Sequence, residues 1–255
     1  MEEHMDTPYR RLVVSIDMQR YSRRRNVEQF HAQQRFRRVM TESVEAIGLD
    51  HAQWTTQQGG DSELAILPAE TPEPLLVGRL PVLLDEKLRD INRELRPESR
   101  IRLRMAVHEG LVHLDGPNGF PSDAVIQTCR LCDADAVKQA LDRFPDANVA
   151  LVVSDSIHRD IVVQEYEAIR ADRFHRIVVH NKEYTGEAWL HVLGEVVACV
   201  PLDAAAAAVQ ATEAPVQRSA ETSAASKYSF GPMANHGPTA IGDNANAYIR
   251  PTELP

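Results

Sequence analysis

The sequence has no long apolar run, little cysteine and no excess of positive charge. No stretch approaches the roughly 18 apolar residues that a membrane-spanning helix needs, and the N-terminus, MEEHMDTPYRR, has no apolar signal region. A membrane partner is therefore not expected. Cysteine occurs three times, at Cys129, Cys132 and Cys199. That suits a reducing cytoplasm and no disulfide framework. Lys and Arg total 28 against 37 Asp and Glu, a net charge of -9, which argues against nucleic-acid binding through a broad basic surface. Cys129 and Cys132 form a C-x-x-C without a second pair, so they read as helix-face residues rather than zinc ligands.

What is present is 43% hydrophobic residues, enough for one sizeable core. Residues 8–195 read as one domain. Residues 196–227, rich in Ala, Thr, Ser, Glu and Gln, read as a linker with little apolar surface to offset the entropy of ordering it. Residues 228–255 form a Gly/Asn-rich tail. Within the domain, periodicity predicts a strand at Leu12–Ile16 and a helix at Asn26–Ile47 stopped by Gly48. It predicts a hairpin from His51–Gln58 and Ser62–Leu67, with Trp54 in a strand. Long helices are expected over Leu75–Leu95 and Asp123–Phe144, and a short one near Asp155–Val163. Further strands are expected at Ile101–His108, Val149–Ser154, Phe174–His180 and Glu187–Leu193, the last holding Trp189. The order β-α-β-β-α-β-α-β predicts an α+β fold: a ferredoxin-like, palm-type sheet with helices packed on it.

Two acids stand out. Asp17 ends an apolar strand and Asp61 sits at a Gly-Gly turn, 44 residues later. Taken alone, each reads first as a turn residue. Brought together, they would repel unless a cation lay between them, and Mg²⁺ suits one or two carboxylates plus phosphate oxygens. Beside Asp17 stands Arg20-Tyr21-Ser22-Arg23-Arg24-Arg25. By themselves these arginines read as a solvated turn. Next to a metal site they match the charge of a triphosphate.

Five segments in order resemble the class III nucleotidyl (adenylate/guanylate) cyclase catalytic domain, as a divergent bacterial member. They are Asp17-Met18-Gln19-Arg20-Tyr21-Ser22 for Asp-Ile-x-Gly-Phe-Thr, and Gln57-Gln58-Gly59-Gly60-Asp61 for the Lys-to-Gly-Asp hairpin. Arg104-Met105-Ala106-Val107-His108-Glu109-Gly110 matches Arg-x-Gly-Ile-His-x-Gly, and Ser122-Asp123 through Arg130-Leu131 matches the Gly-Asp…Arg-Leu helix. Val153-Ser154 ends a later strand.

The resemblance implies a two-metal Mg²⁺ or Mn²⁺ site on Asp17 and Asp61, with the Met18 carbonyl as a further ligand. It implies that Arg130 stabilises charge at the phosphate and that Lys182 contacts phosphate. Arg20, Tyr21, Ser22, Gln57 and Asp123 would hold nucleotide. The reaction implied is attack of the ribose 3′-oxygen on the α-phosphorus of a nucleoside triphosphate, with pyrophosphate released. A homodimer follows, one protomer supplying the metal acids and the other the helix arginine. The departures fall in the base-reading half. Gln57 stands for the base-selecting Lys, the companion Asp falls near Gly119, Ile126 replaces the ribose-orienting Asn with Gln127 beside it, and Arg20 replaces a glycine. Two readings follow: a cyclase of open base specificity in bacterial signalling or anti-phage defence, or a catalytically silent nucleotide-binding or dimerising domain. Gly59-Gly60-Asp61-Ser62-Glu63 also resembles the diguanylate cyclase hairpin, but the segments at His108 and Arg130 match class III better.

His108, Trp54 and Trp189 read as packing residues. Residues 237–249, low in charge with spaced aliphatics among Asn and Gly, suit stacked cross-β pairing. They are similar to short amyloid-signalling motifs, which implies a partner protein through the tail; a disordered terminus is the alternative.

Overall fold

The computed structural model describes residues 7–116, 119–181 and 184–197. The chain divides at Ala211 into two units, and every described residue lies in the first. The expected linker beyond Val197, the tail, Lys182 and Cys199 lie outside the described residues.

Seven strands form one sheet: β1 (Tyr9–Met18), β2 (Thr55–Gln58), β3 (Ser62–Ile66), β4 (Leu103–Val112), β5 (Val149–Ser154), β6 (His175–Asn181) and β7 (Tyr184–Val192). Their order is β2-β3-β1-β4-β5-β7-β6. The first four strands in this order make the ferredoxin-like antiparallel unit. β5 extends it in parallel to β4, and β7 and β6 close it as an antiparallel pair.

Strand alternation decides what each face holds. In β1, Leu12, Val14, Ile16 and Met18 enter the main core, which also holds Leu103, Met105 and Val107 of β4. On that face lie α1 (Asn26–Ala46), α2 (Glu73–Gly78) and α3 (Leu80–Arg93). Leu80, Leu84 and Leu88 recur along one stripe of α3 and are fully buried, each contributing on the order of 1.5–3 kcal/mol. The intervening residues of β1 and β4, among them Asp17, Arg104 and Ala106, point to the other face. There α4 (Asp123–Cys132) packs on β4 and β1, and α5 (Asp135–Arg143) on β5, β6 and β7. Val197 still packs in the cluster under α5.

Gly48 follows the end of α1 with φ 77°, the left-handed conformation that glycine enters at least cost. Gly110 answers a different need. A Cβ there would stand 2.6 Å from the Cβ of Ala124 on α4, so α4 lies on β4 only because this residue has no side chain. Gly110→Ala is expected to cost about 1–3 kcal/mol by lifting α4, read as a lower midpoint in urea denaturation. An unchanged midpoint would refute the contact.

Three sequence expectations need correction. The helix expected over Leu75–Leu95 is two helices broken at Arg79. Pro81 lacks an N–H, and in a continuous helix its ring would strike the carbonyl of Val77. The helix expected over Asp123–Phe144 breaks at Asp133–Ala134, where Ala134 is extended (ψ 139°). The break lets α5 turn Ala136, Val137, Ala140 and Leu141 onto the far strands. His51–Gln53 is a 3₁₀ turn, with the Asp50 side chain accepting from the Ala52 amide at 2.9 Å. Trp54 is buried just before β2 rather than in it, whereas Trp189 lies in β7, stacked on His158 at 3.5 Å.

Two inward histidines set an acid limit. Burial pushes both His191 and His108 down to about 4, helped by Arg173 and His175 at the first and Arg10 at the second. The His108 Nδ1 atom is buried with no hydrogen-bond partner among the described residues. Both folded values lie below the ordinary 6.5. The neutral rings therefore contribute stability fully above pH 6.5, and this is lost as pH falls toward 4. Stability in urea is expected to drop by on the order of 1–3 kcal/mol per ring across that window. His191→Gln should flatten the decline, and an unaltered pH dependence in that variant would overturn the assignment.

Candidate active site

Asp17 lies one residue before the end of β1, with Ser62 of β3 on one side and Arg104 of β4 on the other. Asp61 precedes β3, and its main-chain carbonyl accepts from the Met18 amide at 2.9 Å. The end of β1 and the hairpin turn are thus stitched together, which brings the two acids into electrostatic contact. Burial raises the Asp17 pKa, the Arg104 guanidinium opposes this, and Asp61 and Asp133 raise it further. The Met18 side chain is packed in the main core, so only its main chain is left to face the site.

Arg104 is the charged residue whose role the sequence did not disclose. Its side chain is 10% exposed and ion-paired to Asp17, with the Nε atom 3.2 Å from Oδ1. It also reaches Asp133 at 3.3 Å, and Lys138 holds that acid from the far side at 2.6 Å. Burial alone would lower the Arg104 pKa, but Asp17 outweighs it and holds the value above the ordinary one. One guanidinium therefore serves both Asp17 and Asp133, while burial and the nearby Asp61 and Asp133 charges keep the Asp17 pKa raised despite it. A cation between Leu103 and Met105 in a buried strand was the available signal, since such a charge requires a partner. Antiparallel pairing supplies it in Asp17.

The β1–α1 turn takes an unexpected course. Arg20, at the glycine position of the resemblance, is left-handed with φ 59°, a conformation that costs a non-glycine residue about 1–2 kcal/mol. The Arg20 guanidinium pairs with Asp142 of α5 at 2.6 Å. The Tyr21 hydroxyl accepts from the Gln33 amide at 2.6 Å, and Ser22 is exposed. Arg20, Arg23 and Arg24 line a cleft with Arg100 and Arg102, and neither Asp17 nor Asp61 is in its walls.

Other site residues lie elsewhere. Gln57 is exposed on β2, with its Oε1 atom 3.4 Å from where a Cβ on Gly119 would stand. The two positions assigned to base reading are therefore neighbours in space. On α4, Asp123 is exposed in the first turn, which Ser122 caps by accepting from the Ala124 amide at 3.0 Å. The Gln127 amide donates to the Tyr184 hydroxyl of β7 at 2.9 Å. Arg130 sits in the last turn, where its carbonyl accepts from Asn181 at 3.2 Å. Among the described residues it makes no ion pair with either acid. Burial pushes the Cys132 thiol up to about 12, as for an inert packing residue.

Two solved structures share this architecture. The guanylyl cyclase Cya2 superposes with a TM-score of 0.50, at 14% identity over 75% of this chain and 95% of that one. An adenylate/guanylate cyclase/hydrolase from Silicibacter pomeroyi superposes with a TM-score of 0.51, at 17% identity over 74% of this chain and 99% of that one. The chain has the class III nucleotidyl cyclase fold. No protein-family model matches the sequence, and comparison with curated proteins finds no match. On this cyclase fold, Asp17, Asp61 and Arg104 gather at one end of the sheet. Among the described residues, no group of three or more His, Cys, Asp or Glu side chains is placed to hold a metal ion. No described helix is long and apolar enough to cross a membrane.

Proposed function

We propose that this protein is a metal-dependent nucleotidyl cyclase, converting a nucleoside triphosphate into a cyclic nucleotide and pyrophosphate. The observation that carries this reading is the convergence of Asp17 and Asp61 at the end of β1, on a fold shared with guanylyl and adenylate/guanylate cyclases. The donor set fits Mg²⁺ or Mn²⁺. Two carboxylates and one carbonyl leave the remaining positions to water and substrate phosphate oxygens, as Mg²⁺ usually requires. Asp17 and Asp61 lie near enough to repel each other, and a cation shared between them relieves that repulsion. When bound, such ions neutralise the triphosphate and assist in-line attack at phosphorus.

The chain's own residues do the rest by positioning and charge. Asp17, Asp61 and the Met18 carbonyl hold the metals. Tyr21 and Ser22 shape the turn beside the phosphates. Arg130 of a second protomer stabilises the charge developing at the α-phosphate, and Lys182 supplies a further phosphate contact. Gln57 faces the base, and Asp123 and Gln127 lie on the helix that meets the ribose. The protein acts in the cytoplasm as a homodimer.

A specific observation favours the second reading, a silent domain that binds nucleotide and signals through residues 228–255. The Gln127 amide, the nearest substitute for the ribose-orienting Asn, is engaged by Tyr184. Incubation with each of the four nucleoside triphosphates and Mn²⁺, followed by mass spectrometry, separates the two. A cyclic product from at least one nucleotide is expected. A folded protein that makes none would refute the cyclase.

A further inference from the structure

The arginines of the β1–α1 turn have a second surface to serve. Arg20, Arg23 and Arg24 from that turn and Arg100 and Arg102 from the segment leading into β4 line one cleft of about 560 Å³. We propose that this cleft is an oxyanion site for a di- or triphosphate chain, separate from the Asp17–Asp61 site.

The charge balance is the first argument. Five guanidinium groups and three carboxylates, from Glu28, Glu98 and Asp146, line the walls; with Arg20 paired to Asp142 at 2.6 Å, four guanidinium groups remain against the three acids. Glu28 is engaged outside the cleft by Arg25 at 2.9 Å, and Asp146 approaches Arg100 no closer than 3.7 Å. The second argument is unmet hydrogen bonding. The Nε atoms of Arg24 and Arg100 are buried and have no acceptor among the described residues. A buried donor without an acceptor is costly, and an oxyanion supplies one.

The groups are also held in place. Arg24 donates to the Arg100 carbonyl at 2.6 Å, and Arg102 donates to the Ala147 carbonyl at 2.7 Å and to the carbonyls of Leu141 and Phe144. These bonds fix guanidinium planes before any ligand arrives, which lowers the entropy cost of binding. Burial lowers the pKa of Arg24 and of Arg102; Glu28 opposes this at Arg24, whereas Arg20 and Arg100 add to it at Arg102.

The fork of a guanidinium matches phosphate oxygens in pairs, and several such forks suit a ligand with several phosphates. No aromatic ring is among the lining residues, so nothing there would stack on a base. The ligand chemistry is that of the phosphate chain itself.

The test is calorimetric titration of the full chain with sodium tripolyphosphate in the presence of a chelator. It needs no turnover, so it stands apart from the cyclase reading. Saturable binding is expected, unchanged by Asp17→Asn and weakened at least about tenfold by combined Arg23→Gln and Arg100→Gln. Among the described residues those two side chains make no hydrogen bond, and Arg100 makes only the 3.7 Å approach to Asp146, so the fold should survive their loss. The matching Lys double variant, which keeps the charge, should recover part of the affinity. No binding by the unaltered chain, loss of binding in Asp17→Asn, or full affinity in the Gln double variant would each overturn the site. Titration with a nucleoside triphosphate identifies the source. Tighter binding than tripolyphosphate that is lost in the Gln double variant assigns the site to a nucleotide's chain, and equal or weaker binding to an inorganic one.

Discussion

The Asp17→Asn change is expected to abolish cyclase activity, lowering kcat/KM on the order of a thousandfold. In the proposed function Asp17 is the acid on which metal binding would turn, because the fold half-buries it and sets one guanidinium against two further carboxylates around it. Replacing it has a second consequence. Arg104, 10% exposed, would keep only Asp133 at 3.3 Å. Breaking a fully buried pair costs about 3–5 kcal/mol. Here Asp17 is 24% exposed and one partner remains, so about 1–2 kcal/mol is expected. Asp61→Asn separates the two effects. It should lose activity to a similar degree, yet leave stability unchanged or slightly higher, since the Asp61 charge burdens Asp17 and its carbonyl bond to Met18 is untouched. Cyclic-nucleotide assays with Mn²⁺ and urea denaturation of both variants give the comparison. Mn²⁺ should also raise the melting temperature of the unaltered chain and of neither variant. Activity surviving in either variant would refute the metal assignment.

An equal mixture of Asp17→Asn and Arg130→Ala protein is expected to recover about a quarter of the unaltered activity, although each alone is nearly inactive. Within one protomer, Arg130 makes no ion pair with Asp17 or Asp61 among the described residues, and its main chain is tied to Asn181 on β6. In the proposed function, a site needing both the acids and this arginine would be completed by a second copy. In a symmetric dimer with two equivalent sites, half of the mixed dimers are heterodimers. Each heterodimer carries one site with both defects and one with neither. Arg130→Ala alone should lower kcat about 10²–10³-fold with less effect on KM, as for a group that acts on developing charge. A mixture no more active than its components would sink the two-chain site.

Much of this arrangement was legible in the sequence, because burial imposes local patterns. The apolar run Leu12–Ile16, the alternation before His108 and the Gly-Gly turn before Asp61 each marked an element near its observed place. The helix boundaries were harder. Pro81 and the Asp133–Ala134 break sit inside amphipathic runs whose periodicity continues across them, and periodicity does not register where the axis turns. The role of Arg104 was hidden for another reason. It depends on the residue opposite in β1, and strand register is a tertiary property. The arginines of the β1–α1 turn were legible as a basic cluster but not as a cleft apart from the two acids.

By itself, then, the sequence determined the class of fold and singled out two candidate acids and the departures at Gln57, Ile126 and Arg20, since residue type and order carry those directly. Only the tertiary structure decided that Asp17 faces α4 rather than the main core, that Arg104 is its partner, and that Gln57 and Gly119 are neighbours. The physical reason is that a side chain's surroundings are set by what pairs across the sheet and packs on its face. Those neighbours come from residues tens of positions away, so no local pattern can encode them.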